Sequence, residues 1–561
     1  MYCKYTIIMN KISNMPNIFN NIVDDKHNLT PDPDQEKYHP NNTARSVKDG
    51  HYVTVKTTPF KNPVVVHYSQ DLADLLGIAN MESSDMVNYL SGNAEWVDGF
   101  ATPYALSIYG TERVDNCPYH NDTGYGDGRA ISVGLFEIGG NIYELQLKGA
   151  GKTPFSRGGD GRATLRSSIR EYLASEAMYH MGIPTTRALS LITSESELIK
   201  RPSYKLSDGT MYVDHATIIC RVARSFYRIG HFELFSRRTR HKSNTDDLLK
   251  LRNFTMHVIK RDYPEIYDSS LCANEQILVF LVRVGVNLAY LTAKWMGIGF
   301  VQSNMNSDNC SVGGLSLDYG PFGFMDIYDR YRNFWEGSGT HFAYKNQPVA
   351  MSVNFKMLCD SLKPLLSIPY KNKADGLVAQ FSVMCNNRVN DEFRMKLGFK
   401  NIKWDDGIHT LFDRLDDLLQ KTSMDWTIFW RELSWYPTQL IDNNTHSIIS
   451  ACYDKSKYIL HVPEWYTWIA DWLYLLERDG RSNKEISDQM FEINPKYIPR
   501  EWMLSEAYED AKKGKYETIN ELHQLFLDPY DRTGTNNDKW YKLTPQELIN
   551  KPGIGSMTCS S

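Results

Sequence analysis

LKGAGKTPFSRGGDGRATLRSSIREYLASEAMYHMGIPTTRALS, residues 147–190, is the stretch from which the fold can be predicted. Apolar and polar residues alternate over 143–148, which predicts a strand with Lys148 on the face opposite its two leucines. Apolar residues then recur every four positions from Leu165 to Met181, and a glycine and a proline follow closely. This spacing predicts a helix that ends there, so strand, glycine-rich loop and helix follow one another.

Two residues of this segment predict a phosphate site. Lys148 at the strand end can pair with phosphate, and Glu171 on the following helix can orient it, as in kinase-like folds. The alternative for Glu171 is a solvated helix face. The segment is not a phosphate loop of the Walker type, because the first glycine of that motif would fall on Gln146.

Glycine-rich turns and arginines flank the lysine. Gly-Asp-Gly-Arg occurs at 126–129 and again at 159–162, and paired glycines let backbone N–H groups approach an anion. The alternative is a duplicated tight turn. Arg221 and Arg228, in CRVARSFYRIGHFE, are placed to hold a triphosphate end, or else lie on the rim with surface partners.

A metal site is predicted in NSDNCSVGGLSLDYGPFGFMD, residues 306–326. Asp308 and Asn309 are followed by a glycine turn and by Asp318, which opens Asp-Tyr-Gly. Hard oxygen ligands on two short loops suit Mg²⁺ bound to a phosphate, and protein kinases use such a pair. The alternative is a turn rich in Asn and Asp between two strands.

Composition excludes several classes of function. The 561 residues suggest two or three core-bearing units, and a formal net charge of −5 argues against a broad nucleic-acid surface. The most apolar run, 276–301, is interrupted by Arg283 and Lys294, so we expect a buried helix rather than a membrane span. The nine cysteines include no Cys-x-x-Cys pair, so a zinc site is not indicated.

The pattern along the chain predicts an α+β fold with a mixed α/β front and a mostly helical back. We expect four regions, which are a leader (1–45), a nucleotide-binding lobe (46–235), a helical lobe with the metal site (236–545) and a mobile tail (546–561) with Cys559. The first 23 residues carry two lysines and no acid, which is compatible with a mitochondrial presequence, although arginine is missing. Plain disorder and a cytoplasmic protein are the alternatives. Helical periodicity is evident at 247–261, 275–295, 353–363, 413–421 and 464–478.

Taken together, these motifs resemble the selenoprotein O family of protein adenylyltransferases, a kinase-like group. The matching segments are GDGRA (126–130), the stretch 147–190, RVARSFYRIGHFE (221–233), GFVQSNMNSDNCS (299–311) and DYGPFGFMD (318–326). Weaker matches are NQP (346–348), NPKYIPRE (494–501) and the terminal CSS (559–561). The resemblance covers roughly residues 50–561.

The resemblance implies a protein-kinase-like fold of two lobes that binds ATP in a flipped orientation. It implies transfer of AMP to Ser, Thr or Tyr hydroxyls of protein substrates, with Mg²⁺ or Mn²⁺. The net charge, independently, predicts no nucleic-acid partner. Asp308 matches the proton acceptor, Asn309 and Asp318 match the metal ligands, and Glu171 matches the partner of the strand lysine. The residues that match the nucleotide-binding set are Gly126, Gly128, Arg129, Lys148, Asp160, Gly161, Arg221 and Arg228.

The sequence also departs from the family pattern. An insertion, VDNCPYHNDTGY (114–125), replaces the family's usual Gly-His-Gln-Phe-Gly and Gly-Gln-Leu before the first Gly-Asp-Gly-Arg. Asn304 stands where a kinase carries its catalytic Asp, and Tyr328 lies near the position of an activation-segment cysteine that pairs with the tail in some bacterial members. A phosphotransferase with ATP in the usual orientation and a non-catalytic nucleotide-binding scaffold remain as alternatives, and the oligomeric state is open.

Overall fold

A computed structural model describes residues 23, 26, 28–94, 98–114, 125–202, 210–240, 245–438, 448–532 and 539–557. The N-terminal region contains an eight-stranded antiparallel sheet, and the C-terminal part is helical. This agrees with the expected mixed α/β front and helical back. The strands are β1 (Val53–Val55), β2 (Pro63–Tyr68), β3 (Gly99–Ala101), β4 (Leu106–Ile108), β5 (Thr111–Arg113), β6 (Ala130–Ile138), β7 (Asn141–Lys148), β8 (Ala163–Thr164), β9 (Arg187–Pro202), β10 (Met211–Ala223), β11 (Phe300–Val301) and β12 (Gly323–Phe324).

α-Helices pack around this sheet and build the C-terminal part. They are Gln70–Leu75, Ser84–Leu90, Leu165–His180, Ile229–Arg240, Thr245–Asp262, Ala273–Ile298, Gln347–Leu362, Ile368–Lys396, Asp406–Lys421, Trp426–Leu433, Lys455–Leu460, Val462–Glu477, Asn483–Ile493, Glu501–Ala511, Glu517–Leu527 and Gln546–Ile549. The helices expected from periodicity are confirmed, but two of them begin earlier than predicted, at Gln347 instead of 353 and at Asp406 instead of 413.

The main sheet has the strand order β1-β3-β6-β7-β10-β9-β2, and the short β8 pairs with β10. β7 therefore lies inside the sheet, with Lys148 opposite Ala130 of β6 and Ile219 of β10. Leu145 and Leu147 are fully buried in the core, as the alternation predicts. Lys148 consequently projects from the opposite face at the end of a central strand.

The helix Leu165–His180, hereafter the site helix, packs on this sheet and on the helix Glu517–Leu527. It begins at Thr164, whose side chain accepts a hydrogen bond from Ser167 N at 3.2 Å. Such a cap satisfies one of the free N–H groups in the first turn. The helix ends before Gly182, which has a φ of +74° and so supports the turn away from the helix.

A long apolar helix, Ala273–Ile298, forms part of the core of the helical region. By length and composition it is apolar enough to cross a membrane, with a mean hydropathy of 1.6, but 61% of that window is buried within the fold. This burial supports the expected core helix. The tryptophan stripe of Val462–Glu477 is likewise core, because Trp465, Trp468 and Trp472 are each at most 1% exposed.

The two chain ends are more ordered than expected over their described parts. Most of the expected leader lies outside the described residues, and so does Cys559. Within 28–45, the side chain of the buried Asn41 donates to the carbonyl oxygens of Gln35 and Thr54. Near the other end, Met557 is fully buried, and its N–H donates to Phe334 O at 2.7 Å. These hydrogen bonds hold two segments whose polar composition, by itself, predicts no ordered structure.

Candidate active site

A cleft of about 620 Å³ lies between the sheet and the helical part. Every site residue predicted from the sequence lines it except Glu171, which lies behind Lys148. The predicted residues in its wall are Gly126, Gly128, Arg129, Lys148, Asp160, Gly161, Arg221, Arg228, Asp308, Asn309 and Asp318. The fold therefore brings together residues that are nearly 200 positions apart in sequence.

Lys148 is held at the cleft by the predicted carboxylate. Its Nζ donates to Glu171 Oε2, and the two side chains are 12% and 3% exposed. Arg221 Nη1 lies 3.4 Å from the other carboxylate oxygen of Glu171, and Arg221 Nη2 donates to Gln146 Oε1. Burial alone would raise the pKa of Glu171, but the charges of Lys148 and Arg221 outweigh it and hold that pKa below its ordinary value. The glutamate therefore stays ionised and fixes both cations.

The first Gly-Asp-Gly-Arg copy forms a tightly packed turn. A Cβ at Gly126 would lie 2.3 Å from the carbonyl oxygen of Thr102, so this position admits only glycine. Asp127 between the glycines is buried, accepts from Thr102 N at 3.0 Å and lies 3.4 Å from Arg228 Nη2. Burial raises the pKa of Asp127, and Arg228 opposes that rise. Asp127 thus positions Arg228, which also stacks over the ring of Tyr104 at 4.5 Å.

The second copy has a different internal arrangement. Gly161 has a φ of +74°, and a Cβ there would lie 2.1 Å from the backbone of Gly151. Asp160 accepts two hydrogen bonds from Arg201, each at 2.7 Å. Arg162 is buried and donates to Glu197 at 2.6 Å, so it braces the loop, whereas the matching Arg129 is exposed at the cleft. The two copies are therefore not equivalent phosphate turns.

Three oxygen-bearing residues face the same cleft from the helical side. Asn309 donates its side-chain amide to Asn304 O at 3.2 Å, which fixes the orientation of that amide. Asp318 is half-buried, and a Cβ on Gly320 would lie 2.8 Å from its Oδ2, so the glycine leaves room for the carboxylate. Asp308 Oδ1 is buried without a hydrogen-bond partner among the described residues. This set of hard oxygens fits Mg²⁺ or Mn²⁺.

Asp308 has the environment of a proton acceptor. Its side chain is buried, and burial raises its pKa to about 6. Its Oδ2 accepts a hydrogen bond from the hydroxyl of Tyr125 at 2.5 Å. A carboxylate with a raised pKa is a stronger base than an exposed one, so Asp308 is suited to receive a hydroxyl proton.

Sequence reasoning missed the residues that support this site. Gln146 binds Arg221, and its position two residues before Lys148 on the same strand face was the available signal. The side chain of Gln302 donates to Asp318 O at 2.8 Å, and no local sequence pattern indicated this role.

Two of the weaker family motifs also support the site. Gln347 of the NQP segment accepts from Gln302 N at 3.0 Å. Arg500 of the NPKYIPRE segment binds Asp326 at 2.8 Å. These two weaker motifs therefore brace the segment 302–326 on the helical side of the cleft.

Comparisons with known proteins identify the family of this chain. The family model described as protein adenylyltransferase SelO matches residues 35–527. A protein nucleotidyltransferase YdiU of Flavobacterium johnsoniae is 35% identical over 533 residues, which cover 93% of this chain and 96% of the relative. Proteins of the same name from Tolumonas auensis and Methylobacillus flagellatus are each 33% identical, again over 93% of this chain and 96% of the relative. The chain therefore belongs to the SelO family of protein adenylyltransferases, which are nucleotidyltransferase enzymes.

Proposed function

We propose that this enzyme transfers AMP from ATP to Ser, Thr or Tyr hydroxyls of proteins, with ATP bound in a flipped orientation. The observation that carries the proposal is the division of one cleft into two sides. Lys148 and Arg221 lie on β7 and β10 and line the sheet side, and Asp308 lines the helical side. Arg228 leaves the backbone beside Ser311 and reaches across to Asp127. A cation-rich side suits the β- and γ-phosphates, and this arrangement leaves the α-phosphorus for the hydroxyl that Asp308 deprotonates.

Within this proposal, the buried charges order the triphosphate before reaction. Glu171 holds Lys148 and Arg221, and Asp127 holds Arg228, so the three cations need little reorganisation when the phosphates bind. Preorganised charges in a water-poor cleft are worth more than the same charges in solution. Asp308 takes the proton from the acceptor hydroxyl as that oxygen attacks the α-phosphorus, and pyrophosphate leaves.

We assign the metal-binding role to Asn309 and Asp318, whose oxygens lie on two loops of the same cleft. A divalent cation bound there would neutralise phosphate charge and help to orient ATP. Asn304, in the position of a kinase catalytic Asp, instead accepts the amide hydrogen bond of Asn309 through its carbonyl oxygen. The side chain of Asn304 has no carboxylate to accept a proton, which favours adenylylation over kinase-type transfer of the γ-phosphate.

The proposed architecture is that of a protein kinase, with a nucleotide-binding lobe (46–235) and a helical lobe (236–545) that meet at the cleft. The strand lysine paired with a helix glutamate, and the Asp-Tyr-Gly loop across the cleft, support this assignment. A mitochondrial location stays a prediction from the first 23 residues.

Two labelled forms of ATP test the proposal directly. The enzyme is incubated with Mg²⁺, casein as the acceptor protein, and ATP radiolabelled at either the α- or the γ-phosphorus. We expect label on casein only from the α-labelled nucleotide, and γ label only in released pyrophosphate. Label on casein from γ-labelled ATP alone would establish a phosphotransferase, and ATP binding without transfer of either label would establish a scaffold.

A further inference from the structure

The far end of the hairpin formed by β9 and β10 borders the cleft. Lys200 and Pro202, both on β9, line the cleft wall. Val213 of β10 lies opposite Lys200 in the strand register, and Met211 lies opposite Pro202. Residues opposite each other in a sheet share a face, and Leu198 joins them because it lies two positions before Lys200. These five residues are called the hairpin face.

The hairpin face is apolar and exposed. Leu198, Met211 and Val213 are 57%, 52% and 54% exposed. β2 pairs with β9 only at residues 190–194, and β8 and β7 pair with β10 only from residue 216 onward, so no other described strand flanks this end of the hairpin. Single exposed apolar side chains are ordinary, but a group of three beside a cleft is typical of a surface that binds a partner.

Two cations at the cleft have no carboxylate partner. Asp160 holds the neighbouring Arg201 at 2.7 Å. Lys200 and Arg157, in contrast, have no carboxylate within ion-pair distance in the described part of the chain, and both are exposed. Arg157 lies in the glycine-rich loop with a φ of +48°, in the left-handed region that residues with a Cβ seldom adopt. Backbone strain of this kind clusters at binding sites.

The chemistry of the cleft indicates what the hairpin face binds. Lys148, Arg221 and Arg228 already supply cations for the triphosphate, so the two exposed cations are left over. An acceptor protein whose hydroxyl reaches Asp308 must enter the same cleft. The residues on either side of that hydroxyl therefore come to the rim, where the hairpin face and the unpaired cations lie.

We propose that the hairpin face docks the acceptor protein and selects segments in which apolar and acidic residues flank the modified hydroxyl, an inference that rests on the proposed function. Apolar side chains of the acceptor cover Leu198, Met211 and Val213. Its carboxylates pair with Lys200 and Arg157. Burial of the apolar side chains supplies most of the affinity, and the ion pairs at the rim supply selectivity, because exposed pairs add little net affinity.

Steady-state kinetics of the full-length enzyme test the apolar part, with casein and ATP varied separately. Val213→Glu loses an apolar contact and repels an acidic acceptor, so we expect KM for casein to rise about tenfold and KM for ATP to stay within about twofold. An unchanged KM for ATP also shows that the variant is folded. Val383→Glu makes the same change at a valine that is 62% exposed outside the cleft, and both KM values should stay within about twofold. An unchanged KM for casein in Val213→Glu, or an equal rise of both KM values, would overturn the inference.

A charge reversal tests the selectivity without turnover. Two short peptides carry one serine each, flanked by valine and glutamate in one and by valine and lysine in the other. Their binding is measured by fluorescence anisotropy with Mg²⁺ and a non-hydrolysable ATP analogue. We expect the unaltered enzyme to bind the glutamate peptide about fivefold more tightly, and Lys200→Glu to lose or reverse that preference.

Lys403→Glu is the matched control, because Lys403 is exposed outside the cleft, and it should keep the preference. A preference for the glutamate peptide that persists in Lys200→Glu would overturn the selectivity. Sedimentation adds a further check. A dimer of the unaltered chain that dissociates in Val213→Glu would assign the hairpin face to a second copy and overturn the inference.

The outcomes separate this inference from the function on which it rests. Labelled casein together with an unchanged KM for casein in Val213→Glu overturns the docking surface and leaves the proposed function standing. Absence of α label from casein, with a peptide preference that Lys200→Glu reverses, overturns the proposed function and leaves the hairpin face as a binding surface for acidic segments.

Discussion

Arg170 Nε donates to Glu501 Oε2 at 2.8 Å and thereby joins the site helix to the helical part of the chain. Arg170 is 1% exposed, and its other nitrogens donate to the carbonyl oxygens of Gly320 and Phe322, which follow Asp318. The neighbouring residue on the same helix is Glu171, which holds Lys148. One turn of helix therefore connects the cleft lysine Lys148 with the loop that follows Asp318.

Replacing Arg170 tests this connection. Arg170→Met leaves the buried Glu501 carboxylate and two loop carbonyls without this donor, so we expect the free energy of unfolding to fall by about 3–5 kcal/mol. Urea denaturation measures the loss. The control is Arg414→Met, because Arg414 and Asp471 form an ion pair in which both side chains are over 40% exposed. We expect that control to cost at most about 1 kcal/mol, and equal losses would refute the connection.

Loss of the cleft lysine should impair catalysis. Lys148→Met removes a phosphate partner and leaves Glu171 with Arg221 only, so we expect kcat/KM for ATP to fall by about a hundredfold or more. Steady-state kinetics at fixed acceptor concentration provide the measurement. Lys152→Met changes an exposed lysine of the adjoining loop and should leave kcat/KM within about twofold. A similar loss in both variants would argue against a specific role for Lys148.

Asp318 should be required for binding of the divalent cation. We expect Asp318→Ala to weaken Mn²⁺ binding in the presence of a non-hydrolysable ATP analogue and to abolish transfer, because a charged ligand is lost. Electron paramagnetic resonance of free Mn²⁺ reports the affinity independently of turnover. Asp329→Asn is the control, since Asp329 lies outside the cleft and its Oδ1 accepts from Tyr331 N, a contact that an amide oxygen can keep. Unchanged Mn²⁺ affinity in Asp318→Ala would remove Asp318 from the site.

The glycines of the second Gly-Asp-Gly-Arg loop allow a matched comparison. Gly161 and Gly158 have φ values of +74° and +85°, so alanine strains the backbone at either position. Only at Gly161 does a Cβ collide, 2.1 Å from the backbone of Gly151, whereas at Gly158 it meets no described atom within 4 Å. We expect Gly161→Ala to lower kcat/KM for ATP by about a hundredfold through displacement of the loop, and Gly158→Ala to lower it far less. Equal kinetic effects would show that strain alone is responsible.

Acid should destabilise the packing of the helix Glu517–Leu527 through His523. This side chain is 4% exposed, lies with its ring centroid 4.7 Å from that of His67, and has no hydrogen-bond partner for either ring nitrogen within the described structure. Burial lowers the pKa of His523 to about 3, from an ordinary value near 6.5. Between these values the unfolded chain binds the extra proton, so the stability contributed by neutral His523 is complete above pH 6.5 and is lost as the pH falls towards 3.

The substitution His523→Leu removes this titration. We expect the free energy of unfolding of the unaltered enzyme to fall more steeply than that of His523→Leu between pH 6.5 and 4, by up to about 1.4 kcal/mol per pH unit. Urea denaturation at several pH values measures both slopes. His409→Leu, at a histidine whose side chain is 61% exposed, should follow the unaltered enzyme. Parallel curves for the unaltered enzyme and His523→Leu would refute the assignment.

Local pattern predicted a large part of the fold. The alternation that ends at Lys148 and the four-residue repeat of the site helix both reflect contacts with a core, and the structure confirms both elements. Polar composition at the chain ends was a weaker guide. Residues 28–45 and the segment up to Met557 are held by hydrogen bonds to distant parts of the chain, which composition does not report.

The sequence by itself determined the strand, the helix, the glycine turns and the kinds of residue that the cleft would contain, because these depend on local periodicity and on side-chain chemistry. Only the tertiary structure decided which of them meet. Arg170 and Glu501 are 331 residues apart, and Tyr125 reaches Asp308 across 183 residues. Contacts of this kind depend on how distant segments pack against each other, and no short-range pattern carries that information.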